Sequence, residues 1–242
     1  MQQPPMAVMP PAQPSAAPAE KSALGKILWY SILQIVGLAA GWGASFYLFG
    51  PLFGSAAAMN LGPNPTPADV AKALGPLFQA ITLIIPISAV ISLVGMLLLT
   101  LGFRGLSRVD ARFSLPSMFM IVMIIGFILA VVGVIPLVND IPNLIAQAPT
   151  TPGAPSSAFT TLLSTLIFSI ALIGLGGLLS LIGLIGGIIL GLWRVGSKYD
   201  ETVVKIGAIF IIIPLLDIIA PILILVGVSG VRGRLGRQVA SV

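Results

Sequence analysis

The sequence predicts an all-α fold, a polytopic bundle of transmembrane helices with about five spans. Of its 242 residues, 57% are hydrophobic and only 8% are charged, whereas soluble domains use roughly 25% charged residues. The run from Phe159 to Trp193 contains no charge at all, and about 20 apolar residues already cross the hydrocarbon core of a bilayer. Charged residues gather in short turns between such runs. We therefore expect a multi-pass membrane protein, with the lipid bilayer as its surroundings.

The composition also disfavours most enzyme classes. The chain has no cysteine, no histidine and only seven aspartates and glutamates. It therefore lacks disulfides, the usual zinc and haem ligands and the commonest general base. Basic residues stand in twos and threes at span ends rather than on one surface with aromatic residues, as nucleic-acid binding requires. The sequence predicts a non-enzymatic protein without a cofactor, a metal site or a nucleic-acid partner.

The chain opens on a tail, residues 1–22, that is rich in proline and alanine and carries no charge before Glu20. Such a segment cannot bury a core, and we expect it to be disordered. A transmembrane helical domain follows over residues 23–233, and residues 234–242 form a short basic tail. The first span runs roughly from Ile27 to Phe53. Gly37, Gly41 and Ser45 recur there at four-residue spacing, which is typical of helix packing in lipid.

The middle of the chain predicts two spans and two irregular connectors. Residues 54–77 are loop-like and contain a short surface helix that starts near Thr66. The second span covers about 78–103, with a kink at Pro86. The third covers about 118–138. Asn139 to Ser157, with four prolines, is an irregular connector.

The fourth span carries a stripe of small residues on one helix face. Their spacing of three and four keeps them in line along the helix, and such stripes let helix backbones approach closely in lipid. The pattern leaves open whether the partner helix belongs to the same chain, to a second copy in a homo-oligomer or to another membrane protein. The stripe consists of Gly176, Ser180, Gly183, Gly187 and Gly191.

The last apolar segment, Val203 to Gly230, holds Asp217, a carboxylate deep inside an apolar stretch. Pro214 and Pro221 flank it, and each removes an N–H donor from the carbonyl four residues earlier, those of Phe210 and Asp217. An ionisable residue within a membrane is costly, so a functional role is the default expectation. The alternative is an uncharged Asp217 that hydrogen-bonds a serine or threonine of another helix. The sequence predicts a candidate intramembrane polar site at these three residues.

Two basic turns set the predicted orientation. The excess of Lys and Arg in cytoplasmic loops places both turns and the N-terminus in the cytoplasm. With five spans the basic C-terminus is then external, against the same rule. Either the last arm dips in and returns, or the long fourth run splits within 183–187, giving six spans, or the rule fails at this end. The turns carry Arg104, Arg108 and Asp110, and Arg194, Lys198 and Asp200.

The two turns also match each other at an offset of 90 residues, since both read R-x-x-S-[RK]-x-D. The match suggests an internal parallel repeat of two spans, as many transporters have. Two unrelated basic turns in similar apolar surroundings explain it as well.

Several short motifs resemble one family. They are Gly191-Leu-Trp-Arg-Val-Gly-Ser-Lys-Tyr-Asp200, Val204-Lys-Ile-Gly207, Pro214, Ile222-Leu-Ile-Leu-Val-Gly227 and Gly102-Phe-Arg-Gly-Leu106. The chain after residue 22 is similar to the archaeal membrane proteins of domain-of-unknown-function family 973. That resemblance implies a cytoplasmic-membrane protein with several helices, and it brings neither an activity nor catalytic residues.

Two functions fit these patterns. The first is a scaffold or accessory membrane subunit that binds partners through its glycine faces. The second is a small transporter or channel component in which Asp217 handles a proton or cation. The second requires polar side chains of other spans around Asp217, and the candidates are Gln34, Ser88, Ser92 and Ser169.

Overall fold

The structure is a computed structural model that describes residues 17–55, 67–146, 157–213 and 215–240. All regular elements in these ranges are helical, which confirms the predicted all-α bundle. The α-helices are α1 (Ala17–Ser55), α2 (Pro67–Ser107), α3 (Ser114–Ala146), α4 (Ser157–Gly183), α5 (Leu190–Lys198), α6 (Thr202–Phe210) and α7 (Ala220–Ala240). A 3-10 turn, Ala111–Phe113, precedes α3, and a π-helical segment, Leu184–Ile189, joins α4 to α5.

Within the described residues, four helical stretches are long and apolar enough to cross a membrane. By length and composition they are Pro18–Ala44, Ile84–Ser107, Ala111–Asp140 and Leu163–Lys198. They correspond to the first four predicted spans. The α1–α2, α2–α3 and α3–α4 pairs pack side by side, and α7 packs against both α1 and α6.

The buried core sits toward one end of this bundle. It joins the start of α1, the end of α2 and the short helices near the C-terminus through apolar side chains that are almost fully enclosed. Large members include Leu24, Leu99, Phe103, Phe113, Leu192, Val204 and Ile224. The ends of both basic turns lie at this same end, which we call the charged end.

Two predicted connectors are shorter than expected. α2 begins at Pro67, as predicted, but continues without a break through Leu77 and Pro86 into the second span, so the separate surface helix was wrong. Likewise α3 continues past Val138 to Ala146. Prolines do not end these helices, because neighbouring helices can satisfy backbone groups that a proline leaves free in an apolar bundle. The predicted tail and basic tail boundaries fall inside α1 and α7.

The predicted fifth span is not a single helix. The segment 203–230 forms α6, turns over 211–213 and 215–219, and α7, and the two helices pack side by side as a hairpin. The predicted Pro214 lies outside the described residues. The alternative of a split fourth run is also wrong, since residues 184–189 form a π segment inside one continuous helix rather than a turn.

The hairpin corrects the predicted position of the C-terminus. The guanidinium carbon of Arg232 lies 3.7 Å from where a Cβ on Gly25 would be, near the start of α1. Arg234 donates to the carboxylate of Glu201 at 2.6 Å. The C-terminal arginines therefore lie at the charged end with the start of α1, as they do when the last arm dips in and returns.

The proposed repeat of the two basic turns does not hold in backbone geometry. Asp110 is extended, with φ −143° and ψ 109°, and caps the 3-10 turn. Asp200, its predicted counterpart, has φ 51°. The extended residue that precedes the next helix in the second turn is Glu201. The aligned aspartates thus occupy different places in the two turns.

Candidate functional site

The site is built on the α6–α7 hairpin, whose two helices pack closely because a glycine lies at each of two contact points. A Cβ on Gly207 would lie 2.9 Å from Cγ1 of Ile224, and one on Gly227 would lie 2.5 Å from Cγ2 of Val204. Neither glycine could carry a side chain without separating the helices. The nine residues of α6 rise roughly 13 Å, less than half of the roughly 30 Å hydrocarbon core. The tip of the hairpin therefore lies partway along the bundle, where Ile213, Leu215 and Asp217 are exposed at its surface.

The backbone at the tip is irregular and leaves Asp217 at a break in the helical hydrogen bonding. The N–H groups of Ile219 and Ala220 both donate to the carbonyl of Leu216 at 3.0 Å. Pro221 has no N–H, so the carbonyl of Asp217 lacks the donor that a continuing helix would supply. The carbonyl of Phe210, expected to be unpaired, instead accepts from Ile213 at 3.2 Å. Of the two carbonyls expected to lack a donor, that of Phe210 therefore has one.

Leu215, two residues before Asp217, has a φ of 76°. This left-handed region is costly for a residue with a side chain. Its side chain is 77% exposed, so it contributes little packing in return. Local backbone strain of this kind is common where a fold holds a functional group in place.

Asp217 lines a cavity of about 260 Å³ where the hairpin tip meets the first two spans. Polar groups reach the same cavity from α1 and α2, namely the side chains of Tyr30, Gln34 and Ser92. Tyr30 is itself buried. Pro221 and apolar side chains of several other elements complete the wall: Leu38, Met96, Met123, Leu184, Ile188, Ile211 and Ile224. The fold thus places polar residues of two helices, α1 and α2, in the same cavity as the carboxylate.

The remaining candidate partners of Asp217 lie elsewhere. Ser88 lines a neighbouring groove of about 640 Å³ between α1 and α2. Ser169 is fully buried, and its hydroxyl has no hydrogen-bond partner among the described residues. Its backbone carbonyl lies against Gly133 of α3. Only two of the four predicted polar partners, Gln34 and Ser92, therefore share the cavity with Asp217.

The π segment also contributes to the cavity, through Leu184 and Ile188. π-helical turns are rare and are frequent at functional sites. Two glycines allow this segment to pack closely against α3. A Cβ on Gly186 would overlap the ring of Phe119, and one on Gly187 would lie 2.8 Å from the sulfur of Met120. The π segment was not predicted from the sequence, where its clustered glycines are the one signal that points to it.

The predicted small-residue stripe of the fourth span packs within the chain. A Cβ on Gly176 would lie 2.5 Å from the carbonyl oxygen of Gly126, and one on Gly183 would overlap Cβ of Met123. The backbone of Ser180 lies against Gly126 in the same way. Gly187 and Gly191 approach Met120 of α3 and Phe103 of α2. These residues are therefore already used inside one molecule.

The first predicted stripe is looser. A Cβ on Gly37 would lie 3.5 Å from Ile91, which is ordinary contact, and one on Gly41 would meet no atom within 4 Å. Both glycines line the groove between α1 and α2. This part of the first span therefore borders open space instead of a packed helix.

The charged end is joined by an ion pair that the sequence did not reveal. Lys198, at the end of α5, donates to Glu20 in the first turn of α1 at 2.7 Å. The two side chains are only 18% and 11% exposed. The ammonium group also lies 5.9 Å from the ring centre of Phe113 and 5.5 Å from that of Tyr199. Burial raises the pKa of the Tyr199 phenol above its ordinary value, and the negative charge of Glu20 adds to the shift.

The other predicted turn residues are surface groups. Arg104, Arg108 and Asp200 are exposed. Arg194 donates to the backbone carbonyl of Arg112 and so links the two basic turns. Asp110 accepts from the side chain of Arg112 at 3.0 and 3.1 Å, and these hydrogen bonds lower the pKa of its carboxyl. The turns therefore stabilise the charged end, which the length of α6 separates from the hairpin tip.

No group of three or more potential metal ligands occurs within the described residues. Asp217 accordingly stands as a single carboxylate among neutral polar groups. Such a site suits a proton or a singly charged cation better than a tightly held divalent metal, which takes several carboxylates.

Comparison with known proteins identifies the family. No curated protein and no solved structure shows significant similarity to the chain. A family model described as a protein of unknown function (DUF973) matches residues 27–242. The match includes all the elements that build the cavity and confirms the resemblance seen in the motifs. The chain therefore belongs to the DUF973 family of proteins of unknown function.

Proposed function

We propose that this chain is a non-enzymatic, multi-pass protein of the cytoplasmic membrane that moves protons or small cations through the site at Asp217. The observation that carries the proposal is the cavity itself. It brings Asp217 together with Gln34, Ser92 and Tyr30, from helices far apart in sequence. A residue that only satisfied a kink would need one neighbouring partner and no cavity.

The site has the parts that cation handling requires. The carboxylate of Asp217 supplies the negative charge, and the side chains of Gln34 and Ser92 supply neutral oxygens that can replace water around an ion. The broken backbone beside Pro221 adds a carbonyl that no helical N–H occupies. Irregular backbone at membrane depth is tolerated where it lines such a cavity, and broken helices form the ion sites of many transporters.

Reconstituted liposomes provide the test. The purified chain would be compared with Asp217→Asn for proton, sodium and potassium flux driven by an imposed gradient. We expect flux in the wild type and its loss in the variant, because asparagine keeps the shape but cannot carry the charge. Asp200→Asn, in the exposed turn, is the matched control and should keep full flux. Equal flux in Asp217→Asn and wild type would refute the role of Asp217, and no flux of any ion would refute transport.

A scaffold or accessory role is the second candidate, and one observation favours it. Gly174 and Gly177 lie on α4, and a Cβ added to either of them would meet no atom within 4 Å, so another helix could approach there. If this face binds a second copy or another membrane protein, Gly177→Leu should shift the mass of the purified particle toward the monomer in light scattering. An unchanged mass would remove this face as an interface.

A further inference from the structure

The cavity at Asp217 adjoins the groove between α1 and α2. Gln34, Leu38 and Ser92 line both this cavity and the groove of about 640 Å³ between α1 and α2. The groove extends along α1 as far as Trp42 and Ala44. Seven residues of helix separate Gln34 from Gly41, which corresponds to roughly 11 Å. The two spaces therefore adjoin at these three side chains, and together they make an elongated region with the carboxylate at one end.

The chemistry of the two ends differs. Among the described lining residues, Asp217 is the one carboxylate, and none is a lysine or arginine. The cavity end also holds the ring of Tyr30 and the polar groups of Gln34 and Ser92. The groove end is almost wholly apolar, with Trp42 and aliphatic side chains such as Ile84, Ile87 and Ile91.

We propose that this elongated site binds an amphipathic monocation, with its charged group at Asp217 and its apolar body in the groove. The inference rests on the proposed function and assigns it a substrate class. A carboxylate in apolar surroundings attracts one positive charge strongly because little water screens it, and aromatic rings add cation–π attraction for organic cations. A bare inorganic ion would leave the groove empty, and an anion would face Asp217 with no compensating positive charge.

Two glycines of α1 allow the groove to be tested separately from the carboxylate. A Cβ on Gly41 would meet no atom within 4 Å, and the same is true of Gly43. Gly41 lines the groove, whereas Gly43 is not among its lining residues. Gly41→Leu should therefore fill the groove without disturbing the fold, and Gly43→Leu is its matched control.

The experiment measures binding of decyltrimethylphosphonium, whose charge lies at one end of an alkyl chain, to the purified chain in detergent by equilibrium dialysis. Decyl sulfate, with the same alkyl chain and the opposite charge, is the control ligand. We expect the phosphonium to bind and the sulfate to bind at least about tenfold more weakly. Asp217→Asn and Gly41→Leu should each weaken phosphonium binding by about tenfold or more, while Gly43→Leu leaves it unchanged.

The outcomes separate the two proposals. Equal binding of the phosphonium and the sulfate, or wild-type phosphonium binding by Gly41→Leu, would overturn the amphipathic-cation site. Ion flux that depends on Asp217 without phosphonium binding would overturn this inference and leave the proposed function standing. Phosphonium binding that depends on Asp217 without any flux would support the ligand site and overturn transport.

Discussion

Lys198 is the residue that joins the end of α5 to the start of α1. Its ammonium group reaches Glu20 across 178 positions of sequence and lies beside two aromatic rings. An ion pair with little exposure matters for stability mainly because removing one partner leaves the other charge buried without compensation. The first turn of α1 is therefore held against the end of α5 by this contact.

Removing one partner of this pair should destabilise the bundle. We expect Lys198→Met to lower the free energy of unfolding by about 2–3 kcal/mol, since it leaves Glu20 enclosed without a counter-charge. Thermal unfolding in detergent measures the effect. The double variant Glu20→Gln with Lys198→Met should recover part of the loss. Arg112→Gln breaks a pair whose arginine is 74% exposed, and its effect should be small because water screens that pair. Equal losses in the two single variants would contradict the argument.

Asp110 gives a dependence on pH with a defined sign. Hydrogen bonds from Arg112 lower its carboxyl pKa below the ordinary value of 3.8, so the folded state favours the ionised form. Its contribution to stability is present above that value and is lost as the pH falls through the lower folded-state pKa. Asp110→Asn should therefore be less stable than wild type at neutral pH, and the difference should shrink below about pH 4. Unfolding temperatures across this range test it, and a constant difference would contradict it.

Single residues could be predicted from the sequence only where they stood out locally. Asp217 is evident because it interrupts an apolar run, and the structure places it on a cavity. Glu20 looks like the edge of a tail, because nothing near it in sequence indicates a partner in α5. Gln34 and Ser92 are two of four equivalent candidates. Which polar groups converge depends on how the helices rotate, and composition does not fix that rotation.

At the scale of the element, α4 carries two neighbouring glycines with opposite surroundings. Gly176 lies against the backbone of Gly126, whereas a Cβ on Gly177 would meet no atom within 4 Å. One residue of helix turns the chain by about 100°, which moves the next side chain from the interface with α3 to the outside. The two positions therefore separate packing from helix propensity.

Alanine at these two positions should have opposite effects. Gly176→Ala forces a methyl group into a gap that cannot hold it, and overpacking of this kind costs about 1–3 kcal/mol. Gly177→Ala adds a better helix former in open space and should be neutral or stabilising by up to about 1 kcal/mol. Thermal unfolding of both variants in detergent decides the matter. Loss of stability in Gly177→Ala alone would mean that the face of α4 is assigned wrongly.

The π segment makes a second prediction about an element. A π turn contains one residue more than an α turn, so deleting the exposed Ile185 should give a regular helix whose flanks keep their register. We expect a folded protein with flux reduced several-fold, because the cavity wall formed by Leu184 and Ile188 is rearranged. Deleting Leu178 instead would rotate all later residues by about 100° and should prevent folding. Full flux after deletion of Ile185 would exclude a role for the π segment.

The long apolar helices could be predicted because their length and hydropathy are local properties. The ends of α2 and α3 could not, since proline density suggested loops where the structure has helix. The hairpin was also missed as the preferred arrangement. Its closure depends on Gly207 and Gly227 meeting side chains of the opposite helix, which is a tertiary contact between segments that each look like part of one span.

At the scale of the whole molecule, the return of α7 resolves the conflict in the charge distribution. Every lysine and arginine except Lys72 belongs to segments that meet at or near the charged end. A single crossing by the last arm would have moved Arg232, Arg234 and Arg237 to the opposite side. With the hairpin, the basic residues near both termini lie on the same side as the two basic turns, as the positive-inside rule expects.

Single-cysteine labelling tests this arrangement directly, because the chain contains no cysteine of its own. Ser22→Cys, Ser107→Cys and Gly233→Cys lie at the charged end, and Asp140→Cys lies at the far end of α3. In sealed vesicles of one orientation, a membrane-impermeant maleimide should label the first three from the same side and Asp140→Cys only from the other. Labelling after detergent treatment controls for buried thiols. If Gly233→Cys reacted together with Asp140→Cys, the last arm would cross as a fifth span. That result would contradict the hairpin and therefore also the cavity at Asp217, which the hairpin tip helps to form.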